Sequence, residues 1–118
     1  MKRYPDELIE AVLEENRQRF DLQERLKAVN TETVAARYGL SRESVRRMYH
    51  GRSVPVAVAP EFRSQINNAG VEFWRIKEAL RDLTFARIAE RHGLGHPETV
   101  RRLTLRYEDP MAECVMLP

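Results

Sequence analysis

Three observations predict an all-α fold for this 118-residue chain. Apolar residues recur at helical spacing and no segment sustains a two-residue alternation. Proline, asparagine, serine and glycine stand where helices begin or stop. The same pattern then occurs a second time. The expected architecture is a small helical bundle of two similar units joined by an extended Pro/Val segment.

Pro5 at a first helical position, with Asp6 and Glu7 facing the positive end of the helix dipole, opens a helix whose Leu8, Ile9, Val12 and Leu13 share one face. This helix is expected to run from about Pro5 to Asn16. A second follows on Phe20, Leu22, Leu26 and Val29, and Asn30 caps a third with Val34, Ala35 and Tyr38 inside. Gly39 ends the third, because glycine takes the left-handed conformation without steric cost. Leu40 returns to the core, and Ser41 caps a fourth helix built on Val45, Met48 and Tyr49. The stretch "GRSVPVAVAP", residues 51–60, holds two prolines among valines and alanines, which favours extended backbone.

The chain then repeats. Residues 20–40 set against 74–94 and 42–48 against 97–103 give ten identities in 28 positions, among them Ala35/Ala89, Arg37/Arg91, Gly39/Gly93, Glu43/Glu98, Val45/Val100 and the pairs Arg46-Arg47/Arg101-Arg102. Core positions agree in kind: Phe20/Trp74, Val34/Ile88 and Met48/Leu103. Agreement at both core and arginine positions argues for internal duplication. The second copy carries one extra turn residue, Gly95, and opens its last helix with His96 and Pro97. The expected organisation is a first unit over 1–52, a linker over 53–60, a second unit over 61–107 and an apolar tail over 108–118.

Composition bounds the chemistry. An apolar fraction of 42% supports one modest core or two small ones, and the net charge is only +2. Its distribution is uneven: residues 1–40 hold 7 Lys/Arg against 8 Asp/Glu, whereas 41–63 hold 5 against 2. A polyanion is thus repelled by the first helix and attracted near Arg42 to Arg52. No apolar run or leader pattern is present, so a cytoplasmic protein without a membrane partner is expected. Cys114 is the single cysteine, and it reads as a small packed hydrophobe. His92 and His96 are separated by glycines, which rules out a helical metal pair, so no metal and no cofactor are expected. Neither a phosphate-cradling glycine loop nor a nucleophile elbow occurs, and no enzyme is expected.

The third and fourth helices resemble the helix-turn-helix of prokaryotic and phage DNA-binding proteins. The resemblance rests on Ala35 at the helix crossing, Gly39 at the turn, and Val34, Leu40, Val45 and Met48 as buried positions. It implies two helix-turn-helix units and a partner, double-stranded DNA, read in the major groove by the helix over residues 42–50. The outward positions are then Arg42, Glu43, Arg46, Arg47 and His50, with arginine suited to guanine and Glu43 to cytosine N4. Ser41, Ser44 and Arg52 would meet phosphate. In the second copy the corresponding set is His96, Glu98, Thr99, Arg101, Arg102 and Arg106. A linker between two such units is similar to those of some transposases. The other class of function open to this chain is a protein-interaction module, docking through the acidic first helix or the tail "CVMLP". A homodimer through Met111 to Leu117 is the expected assembly.

Overall fold

The structure is a computed structural model and describes residues 4–108. Among the described residues six α-helices and no strand are present: α1 (Asp6–Val29), α2 (Thr31–Tyr38), α3 (Arg42–Tyr49), α4 (Pro60–Arg81), α5 (Phe85–Arg91) and α6 (Pro97–Glu108). The all-α expectation holds. No helix among these residues is long and apolar enough to cross a membrane. The expected tail, Cys114 and the Met111 to Leu117 contact lie beyond residue 108, outside the described residues.

One expectation is corrected at once. The break expected after Asn16 is absent, and α1 runs unbroken for 24 residues. Nothing between Pro5 and Asn30 is glycine or proline, and Arg17, Gln18 and Arg19 are good helix formers. Arg17 also pairs with Glu14 at 3.3 Å, across the expected end.

The described residues form two compact units, one of residues 22–79 and the other of residues 4–21 with 80–108. This division differs from the expected 1–52 and 61–107. The difference comes from the long helices, each of which contributes residues to both units. In the contiguous unit, Val34 and Ala35 of α2, Val45 and Tyr49 of α3 and Ile66 of α4 form the core, with Leu40, Met48, Val58, Ala69 and Phe73 packed around it. In the discontinuous unit, Ile88 and Ala89 of α5 and Val100 and Leu103 of α6 close on Ile9, Val12 and Leu13 of α1.

Four positions correspond between the two cores: Val34 with Ile88, Ala35 with Ala89, Val45 with Val100 and Ile66 with Val12. Asp6 and Pro60, which open α1 and α4, are 54 positions apart, the offset of the sequence repeat. Val12 and Ile66, again 54 apart, are both fully buried. The α2–α3 pair is therefore closed by the front of α4, and the α5–α6 pair by the front of α1. Each pair is closed by the long helix that belongs, by sequence, to the other copy. Two expected core residues lie outside this arrangement: Phe20 is 62% exposed and Trp74 is 44% exposed. Each sits eight residues beyond the buried Val12 or Ile66, a position turned by about 80° from the core stripe of a 3.6-residue helix.

Candidate nucleic-acid interface

The arginine-bearing helix α3 is placed by a turn whose contacts follow from a few residues. Asn30 accepts from the Thr33 N–H at 2.8 Å and starts α2. Gly39, at φ 67°, ends it in the left-handed region. The Leu40 N–H then donates to the Ala35 carbonyl at 2.9 Å, which turns the chain back. Ser41 Oγ accepts from the Ser44 N–H at 3.1 Å and starts α3. Each step satisfies a backbone group that a helix end leaves open.

The second copy repeats these contacts at equivalent positions. Thr84 accepts from the Arg87 N–H at 3.2 Å, Gly93 stands at φ 67°, and the Leu94 N–H donates to the Ala89 carbonyl at 2.8 Å. Arg37 and Arg91, identical in the alignment, each reach back to a carbonyl nine residues earlier: Arg37 to Ala28 at 3.5 Å, and Arg91 to Asp82. The copies part company at the next turn. Gly95, at φ 76°, is the inserted residue, and His96 Nδ1 takes the place of the serine hydroxyl, accepting from the Glu98 N–H at 3.1 Å.

On α3, Arg42, Glu43, Arg46, Arg47 and the capping His50 are all exposed. Glu43 holds both arginines of the pair, Arg46 at 3.1 Å and Arg47 at 3.5 Å. The hydrogen bond from Arg46 and the charges of Arg46 and Arg47 hold its carboxyl below the usual carboxylate range. Arg42 pairs with Glu32 of α2 at 3.3 Å. Arg46, Arg47, His50 and Arg52 line one shallow depression. The Arg52 N–H donates to the Arg47 carbonyl at 2.8 Å, which draws the residue after α3 back to the helix end.

Ser44 departs from the outward set. It is buried, and its hydroxyl accepts from Ser41 Oγ at 2.9 Å. Its place beside Val45 on the inner side of α3 explains why it does not face solvent, and it is not available to phosphate. Ser41 is exposed, with its oxygen engaged in the cap.

On α6 the charge pattern recurs. Arg101 donates from Nε to the two Glu98 oxygens at 3.0 and 2.9 Å, and Arg102 lies 3.7 Å from the same carboxylate. Glu98 is likewise held below the usual range, chiefly by the Arg101 hydrogen bond, and Arg101 is raised by the same bond. His96, Arg101, Arg102 and Arg106 are exposed, while Thr99 is half-buried. Arg106 lies over the Tyr107 ring at 5.5 Å. The α6 set includes no counterpart of Arg42, because Pro97 stands there.

Two residues at the first site carry roles that sequence reasoning missed. Trp74 donates from Nε1 to the Tyr49 carbonyl at 2.9 Å and meets the His50 ring edge-on at 5.4 Å, so it shoulders the end of α3. Its exposure was hidden by its alignment with Phe20, which suggested core for both. Glu32 orients Arg42, and a ten-residue separation between helices has no periodic signature in the sequence. His92, considered for a metal pair with His96, instead faces Glu15 of α1 at 3.2 Å. Comparison with family models, curated proteins and solved structures finds no match for this chain.

Proposed function

We propose that this chain is a sequence-specific double-stranded DNA-binding protein, a regulator of transcription or a factor of phage or other mobile DNA, with α3 as its principal reading helix. The observation that carries this reading is the duplicated charged face: an arginine pair on one glutamate, presented outward by a helix that a glycine turn and a side-chain cap set against its neighbour. A short helix held by one buried face can enter the major groove while the helix before it crosses the backbone. Arg42, Arg46 and Arg47 then face base edges, Glu43 can accept from cytosine N4, and Arg52 and the depression it shares with His50 suit phosphate. Such a protein works in the cytoplasm or on the nucleoid, and as a homodimer it would cover two half-sites.

In vitro selection from a random duplex pool tests the reading. A consensus is expected, and Arg46→Ala or Arg47→Ala should each weaken binding to it by about 1–3 kcal/mol without lowering the melting temperature. Val45→Ala, at a fully buried position, should lower the melting temperature first. Replacing Arg101 and Arg102 together should cost less than replacing Arg46 and Arg47, since α6 begins at a longer turn with fewer cations. Selection that returns no consensus, together with binding indifferent to salt, overturns the reading in favour of a protein-interaction module.

A further inference from the structure

The acidic residue within each arginine cluster is harder to explain than the arginines. A surface built only to hold a polyanion gains nothing from a carboxylate at its centre, and the duplication has kept one at both sites. Glu43 is the single acid on α3 and sits one turn before the pair it binds. Glu98 repeats the position, the spacing and both contacts on α6. The caps of these helices are made by Ser41 and His96, so neither glutamate is needed to start its helix. Both also stand in the first turn, where a carboxylate meets the positive end of the helix dipole, but that role does not call for an arginine pair on each.

We propose that Glu43 is a discriminator: it withholds Arg46 and Arg47 from DNA of arbitrary sequence and releases them where a cytosine amino group takes over its carboxylate. This rests on the reading of α3 as the DNA-contacting helix. On a random duplex, an arginine that turns to a phosphate must leave its carboxylate partner, and that carboxylate is left in the negative potential of the backbone. The phosphate contact and the lost ion pair then nearly cancel. At a matching base pair the carboxylate accepts from cytosine N4 while the neighbouring arginine takes the guanine O6 and N7, so no charge is left without a partner. The glutamate lowers affinity for DNA of arbitrary sequence and leaves affinity for the correct site undiminished. Discrimination of this kind needs a penalty against the wrong partner as well as contacts to the right one.

The substitution Glu43→Gln keeps the size of the side chain and removes the charge. Its effect is read by titrating the full chain with a random-sequence duplex and with the selected duplex across a salt series. The variant should bind the random duplex about tenfold more tightly at 0.1 M salt for each arginine set free, and its salt slope should steepen by about 0.9 per arginine. Affinity for the selected duplex should not rise, so the ratio between the two should fall. A structural role for Glu43 would change melting and leave the slope alone. Glu98→Gln gives the same measurement on α6 if the first variant folds poorly. Wild-type binding with a slope and ratio unchanged in the variant overturns the discriminator and leaves the DNA reading standing. Wild-type protein that binds neither duplex overturns both.

Discussion

The phenol of Tyr49 donates to the Val29 carbonyl at 2.7 Å, and its ring lies 5.2 Å from that of Phe73. One side chain at the end of α3 thus ties the end of α1 to α4. Burial of the hydroxyl pushes its pKa up to about 12. The neutral form is the one the fold accepts, so the phenol's contribution to stability is flat below pH 10, where it is neutral folded or unfolded, and falls as pH rises toward 12. Tyr49→Phe removes the hydrogen bond and should cost about 1 kcal/mol at neutral pH. It should also flatten the alkaline decline, which chemical denaturation at pH 7 and at pH 11 measures directly. Tyr38 makes a different contact, donating to Gln65 Oε1 at 2.7 Å while its ring meets Phe62. Both tyrosines were expected on inner helix faces, and both pack against α4.

At the scale of elements, α4 can approach α3 because residue 70 has no side chain. A methyl group there would stand 2.9 Å from Tyr49 Cδ1 and 3.3 Å from Cε1. Glycine within an exposed helix is normally improved by alanine, by about 1 kcal/mol. At this position the sign reverses, because the ring is held by Val29 and Phe73 and cannot withdraw. Gly70→Ala should destabilise the protein by about 1–3 kcal/mol, visible as a lower midpoint in urea. A gain in stability would mean that α3 and α4 are further apart than described. Much of the element plan was legible in the sequence, because caps and turns are local: Asn30, Gly39 and Ser41 declare themselves by residue type. Two features were not. The continuity of α1 was obscured because its two apolar groups resemble two helices, and only the absence of any breaker between them argues otherwise. The partners of the long helices were hidden for a deeper reason. A periodic apolar stripe states that a face is buried and is silent about what buries it. The site shows the same limit: Arg46 and Arg47 were readable as an outward pair, while the burial of Ser44 depended on which side of α3 met the core.

For the whole molecule, the exchange of long helices between the copies sets the pattern of local stability. Ile66→Ala removes part of the face that closes α2 and α3, and should cost about 2–5 kcal/mol. Its loss of amide protection should be concentrated in residues 31–49. Val12→Ala, at the matching position of α1, should instead loosen residues 85–108, although Val12 lies far closer in sequence to α2. Native-state hydrogen exchange on the two variants distinguishes these patterns, and a simple division of the chain into halves predicts the reverse for Val12. The same exchange bears on synthesis. One unit is contiguous and can assemble once the front of α4 leaves the ribosome, but the other is made from both ends of the chain. Domains form as their segments emerge, at about 5–20 residues per second. Leu8, Ile9, Val12 and Leu13 must therefore wait, uncovered, until α5 and α6 have been translated. Four carboxylates, Asp6, Glu7, Glu10 and Glu14, are interleaved with this stripe and are exposed in the finished protein. During that interval these carboxylates set like charges against the pairing of two uncovered stripes, as gatekeeper residues beside an apolar run do.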